Sequence, residues 1–202
     1  METLIEGYHR FRAEIWPAEH KRYEALSARG QKPETLIIAC SDSRVDPSTV
    51  FNAGPGELFV VRNIAGLVPP HRTDGQAHGY SAALEFGVRV LKVKRIVVLG
   101  HAQCGGVRAM VEGAPTEAKD FVEPWMAIAK DALGPMPEPP ITDAILHHYE
   151  GEVVRLSVEN LMTFPWIAEA VEAGTLALHG FSFAVATGVL SRLVGDKFVP
   201  VV

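Results

Sequence analysis

Cys40-Ser41-Asp42-Ser43-Arg44 follows the apolar run Leu36-Ile37-Ile38-Ala39. An unbroken apolar run of this length reads as a strand buried on both faces of a parallel sheet. A thiol, an acid and a base then leave the strand at alternate positions. They are a soft metal ligand, a hydrogen-bond acceptor and a cation able to hold that acceptor in a fork. An extended segment would put Asp42 and Arg44 on the same side. A second stretch answers the first: Arg95-Ile96-Val97-Val98-Leu99 runs into Gly100-His101-Ala102-Gln103-Cys104-Gly105-Gly106. The chain has two cysteines, and one lies just past each run.

Working outward, residues 2–29 read as helical, with Tyr8, Phe11, Ile15 and Trp16 at helical spacing and Pro17 breaking the run in two. Leu58-Phe59-Val60-Val61 reads as another strand, ending in Arg62-Asn63. A helix is expected from about Gly75 to Val93, with Ala82, Ala83, Phe86, Val90 and Leu91 as its apolar face. Further helices are expected over 107–112, 121–133 and 141–173, the last interrupted near Pro165. Two late strands, around 176–181 and 188–190, suggest a hairpin at the sheet edge. Strands alternating with helices predict an α/β fold with a mostly parallel central sheet and flanking helices. Ligands bind such sheets outside the carboxyl ends of the strands, and both cysteine stretches fall at that edge.

The 202 residues suit a single domain, 1–202, with residues 1–30 as a helical arm. Hydrophobic residues make up 48%, enough for a substantial core, and a net charge of -5 argues against nucleic-acid binding. No apolar run approaches the length that spans a membrane, and the first residues lack a basic start and an apolar signal core, so no secretion is expected. A chain of this size has no need of a disulfide, so a reducing cytoplasm is expected.

Cys40, His101 and Cys104 form a Cys2His set, and three ligands with one open position is the catalytic arrangement for zinc. Buried free cysteines also serve as small apolar residues, so spacing alone leaves both readings open. Likewise, without the cysteine Asp42 and Arg44 read first as an ordinary ion pair closing a loop.

Cys40-Ser41-Asp42-Ser43-Arg44, Gly56-Glu57-Leu58-Phe59-Val60-Val61-Arg62-Asn63 and Gly100-His101-x-x-Cys104-Gly105-Gly106, in this order, resemble the β-class carbonic anhydrases. The resemblance implies one zinc ion per chain on Cys40, His101 and Cys104, with Asp42 and Arg44 as a catalytic dyad. It implies reversible hydration of carbon dioxide to bicarbonate and a proton. Phe59, Ile64 and Phe86 match positions of the family's apolar pocket, and Gln31 its amide donor to a substrate or product oxygen. Backbone amides around Gly105 would add donors. The resemblance further implies a homodimer or a dimer of dimers, an N-terminal arm that embraces the partner, and a cleft at the subunit interface.

Two rivals remain at this level: a related zinc hydrolase of carbon disulfide or carbonyl sulfide, and a non-catalytic zinc protein serving assembly. Some family members close their own site when bicarbonate binds a second pocket. The matching positions here are Ile37, Arg62 and Phe183, of which Arg62 alone can hold an anion. Asp42 is therefore expected to stay with Arg44.

Overall fold

The computed structural model describes Met1–Val202. Its sheet has six strands: β1 (Thr35–Cys40), β2 (Leu58–Asn63), β3 (Arg95–His101), β4 (Ala177–Ala184), β5 (Val189–Val194) and β6 (Lys197–Pro200). Their order is β2-β1-β3-β4-β5-β6. The first four run parallel, with β1 between β2 and β3, while β5 and β6 return antiparallel. The expected hairpin is present as β4–β5, but β4 also pairs with β3, and the hairpin continues into β6. That last strand is short and ends in a proline, which only a sheet edge accepts.

The helices are α1 (Glu2–Arg10), α2 (Trp16–Arg29), α3 (Pro47–Val50), α4 (Gly79–Glu85), α5 (Gly105–Glu112), α6 (Val122–Leu133), α7 (Asp143–Leu161) and α8 (Pro165–Glu172). Pro17 does not break the arm. Residues Phe11–Ile15 form a π-helical turn in which the Trp16 amide bonds the Phe11 carbonyl. The loosened turn lies just before the residue that has no N–H to give, so the helix runs on from Glu2 to Arg29.

The two sheet faces are covered unequally. Leu36, Ile38, Ile96 and Val98 face a deep core with Leu84, Val88, Val154, Leu161, Phe164 and Ile167. Here α7 approaches closely because β3 and β4 present glycines to it. A Cβ on Gly100 would overlap Val154, and one on Gly180 would lie 3.0 Å from it. The opposite face is thin: Ile37, Ala39, Val97 and Leu99, with Phe51, Leu58 and Phe181 around them.

The helix expected from Gly75 begins at Gly79 and runs through a second π-helical stretch to Leu91, where Lys92 ends it in the left-handed region. Most of its expected apolar face points outward, with Phe86 45% and Val90 59% exposed, while Leu91 packs on the core. Leu84, Gly87 and Val88 are buried instead, and Gly87 lets the helix sit against Leu36. Leu84, Gly87, Val88 and Leu91 recur at i, i+3, i+4 and i+7, while Ala82, Phe86 and Val90 recur at i, i+4 and i+8, so the helix carries two apolar stripes and spacing alone does not choose between them.

Candidate active site

β1 and β3 are paired neighbours, and each ends in a candidate ligand: Cys40 closes β1 and His101 closes β3. Cys104 follows three residues later as the N-cap of α5. All three are buried, and their ligand atoms lie within 4.8 Å of one another. The two sulfurs are 3.9 Å apart and unbonded. Two sulfurs each about 2.3 Å from one tetrahedral ion would lie about 3.8 Å apart, so the set fits zinc.

The imidazole is prepared for the same task. His101 Nδ1 donates to the Ala102 carbonyl at 2.9 Å, which leaves the Nε2 lone pair free to face the sulfurs. Nε2 is buried without a hydrogen-bond partner, and a buried nitrogen left this way is explained by a metal.

The thiols share charge unequally. Donation from Cys104 is the main reason the Cys40 pKa falls, to about 4, with His101 assisting against burial. The hydrogen bond to Cys40, then burial and the charge on Cys40, push Cys104 up, while the amides of Val107 and Gly106 act the other way. Burial lowers His101, but the Cys40 sulfur and the Ala102 carbonyl outweigh it, and the net direction is up. A divalent cation removes this competition because it stabilises both sulfurs as thiolates.

Asp42 and Arg44 sit beside the cluster. Arg44 Nε donates to Asp42 Oδ1 at 3.0 Å and Nη2 to Oδ2 at 2.7 Å. This fork, then the Arg44 amide, holds the carboxyl well below the usual carboxylate range. The segment is a turn, not the extended run expected: the Val45 amide bonds the Asp42 carbonyl. Residues two apart meet through that turn. Arg44 Nη2 also donates to the Gln103 carbonyl at 3.0 Å, tying the β1 loop to the β3 loop. Asp42 Oδ2 lies 3.9 Å from His101 Nε2.

The remaining expected residues divide into two groups. Ile64 and Gly105 adjoin the cluster: a Cβ on Gly106 would stand 2.6 Å from Ile64, and Trp125 fixes the Ile64 carbonyl from α6. Gln31, Phe59 and Phe86 are elsewhere. Phe59 pairs with Leu36, four residues before the level of Cys40, or about 13 Å along the strand. It packs on Phe86 with ring centroids 5.9 Å apart. Gln31 is exposed and precedes Thr35, where β1 begins, at the opposite end of the strand from Cys40.

Sequence reasoning missed two supports. Arg62 donates to the carbonyls of Cys40 and Asp42. Glu150, on α7, accepts the Cys104 amide at 3.1 Å.

A family model described as carbonic anhydrase matches residues 35–190. A carbonic anhydrase of Pseudomonas aeruginosa is 36% identical over 201 residues, covering 96% of this chain and 88% of that protein. Among solved structures, the β-carbonic anhydrase CcaA superposes with a TM-score of 0.87 at 29% identity, covering 100% of this chain and 99% of that one. A tetrameric β-carbonic anhydrase from Sordaria macrospora gives 0.80 at 29% identity, covering 96% and 98%.

Proposed function

Since the chain belongs to the carbonic anhydrase family, in its β class, and hydrates carbon dioxide, we propose that Cys40, His101 and Cys104 hold one zinc ion and that Asp42 and Arg44 act as its catalytic pair. The observation that carries this reading is the forked carboxylate standing 3.9 Å from the free nitrogen of the buried Cys2His set.

When bound, zinc supplies the Lewis acidity that makes water a nucleophile near neutral pH. Asp42, kept ionised by Arg44, can only accept hydrogen bonds. It accepts the hydrogen of the attacking oxygen and thereby turns a lone pair towards the carbon of carbon dioxide. Arg44 is braced by the Gln103 carbonyl, so the carboxylate keeps one orientation. Ile64 provides an apolar wall for a small apolar substrate, and the backbone amide of Gly105 is the proposed donor to the oxygen that gains charge.

The cleft is completed by a second copy of the chain, which brings Gln31, Phe59 and Phe86 to it. Two features support a homodimer, single or doubled. Phe86 and Val90 form an exposed apolar face, with Val60 exposed on edge strand β2. The first helix of the arm is also unpartnered: α1 buries no residue, and Leu4, Ile5 and Tyr8 are at least half exposed. A groove of about 630 Å³ over the thin sheet face, floored by Ile37, Val97 and Phe181, suits the apolar side of that arm. Residues 1–202 then act as one domain with residues 1–30 as the dimerisation arm. Two free cysteines and no helix long and apolar enough to cross a membrane are compatible with the cytoplasm.

Metal analysis with a carbon dioxide hydration assay tests this reading. One zinc per chain is expected, lost together with activity in Cys40→Ser. Full zinc occupancy in the Cys40→Ser, Cys104→Ser double variant would overturn it.

A further inference from the structure

We propose that Glu150 is a positioning residue of the metal centre, holding Cys104 through its backbone. The inference rests on the reading of Cys40, His101 and Cys104 as the zinc site. Glu150 lies on the buried face of α7 with Leu146, Val153, Val154, Ser157 and Leu161. It is 5% exposed and is the one carboxylate among the chain's buried residues. A buried carboxylate is costly unless its oxygens are satisfied. Oε1 accepts the Cys104 amide at 3.1 Å, and Oε2 stands 3.4 Å from Nδ1 of the exposed His147.

The Cys104 amide is a strategic group to hold. The loop from His101 to Cys104 is pinned at successive residues by separate elements. The Ala102 amide bonds the Phe183 carbonyl on β4. The Gln103 carbonyl takes Arg44 Nη2. Between them Gln103 adopts φ 58°, which a residue with a side chain enters only when its neighbours are fixed. Glu150 supplies the fix on the Cys104 side. It therefore sets the direction of the Cys104 sulfur and of the carbonyl that braces Arg44, while touching neither substrate nor metal.

The test compares Glu150→Gln, Glu150→Met and Glu150→Asp in the full chain. Zinc affinity is read by chelator competition, and sulfur geometry by the thiolate-to-metal band of the Co2+-loaded protein. Methionine fills much of the space but accepts no amide. Zinc affinity should fall by about 10- to 100-fold, as with other outer ligand partners, and the cobalt band should weaken. Melting of the metal-free chain should fall only modestly, since methionine removes a costly buried charge but leaves the Cys104 amide without its acceptor. Glutamine keeps an acceptor oxygen and should stay within about fivefold of the native affinity. Aspartate keeps the charge but is one methylene too short, so it should behave like methionine, and it decides the matter if the methionine chain does not fold. Native affinity in methionine or aspartate, or glutamine as weak as methionine, overturns the role of Glu150. Native chain that binds no zinc overturns the metal reading and this inference with it.

Discussion

Arg62 reaches from β2 to the backbone of Asp42, where its Nη2 donates to the carbonyl at 2.7 Å. Its Nε donates to the Cys40 carbonyl at 2.9 Å and its Nη1 to Asp46 Oδ2 at 3.2 Å. The arginine that the resemblance placed in a second bicarbonate pocket is thus committed to the chain's own site loop. Its companions there, Ile37 and Phe183, offer no side-chain donor, so an anion would be poorly satisfied. Bicarbonate should act as substrate and product only, with rates following a hyperbola and a Hill coefficient of about 1. Activity should fall smoothly on acidification through about pH 7. Stopped-flow rates across bicarbonate concentration and pH check this; a sigmoidal response would sink it.

Asp42 and Arg44 form one unit, and their variants should behave as one. Asp42→Asn presents amide hydrogens where an acceptor is needed, and Arg44→Ala frees the carboxylate to turn. Each should cost on the order of 100-fold in kcat/KM with zinc retained. The double variant should be little worse than either single one. Additive losses in the cycle would separate the two residues.

The distance of Gln31 from the cluster of its own chain makes a stronger test available. Gln31→Ala and Asp42→Asn chains should each be nearly inactive alone, with the melting temperature of the Gln31 variant unchanged. Coexpressed, they should form hybrids with one intact site, recovering about a quarter of native activity for random twofold pairing. Activity no higher than the two parents would place Gln31 outside the site.

The arm is tied to the body at Glu57, whose Oε1 meets Arg22 Nη2 at 2.7 Å. Arg22, and then the Gly54 amide, hold the Glu57 carboxyl below its ordinary value. A carboxyl depressed on folding contributes stability that is full above its unfolded value, about pH 4.3, and is lost as pH falls through its folded value. The native chain should therefore melt above Glu57→Gln at neutral pH, and the gap should close below about pH 4. A gap that persists in acid would mean that Glu57 acts without its charge.

The parallel sheet was legible because apolar runs without alternation have few other readings, and the ligands because each follows such a run. The outward face of the helix over 79–91 was not legible. Two apolar stripes run along this helix, Leu84-Val88-Leu91 and Ala82-Phe86-Val90, and periodicity alone does not tell which one meets the core. The separation of Gln31, Phe59 and Phe86 from the cluster was hidden for a different reason. Motif order ranks residues along a chain, whereas the register of β1 with β2 decides which strand end each occupies. Glu150 did leave a signal: an acid among Leu146, Val153 and Val154 at helical spacing interrupts an otherwise apolar stripe.

The π-helical turn at Phe11–Ile15 gives the arm a rotational phase. Each residue of an α-helix advances the side chains by about 100°, so the extra residue sets where Leu4, Ile5 and Tyr8 point relative to α2. Removing one residue from this turn would leave the arm's length nearly unchanged and swing its apolar side away from where it now faces. The arm works as a key whose bit is cut by a single residue, and its angle matters as much as its reach.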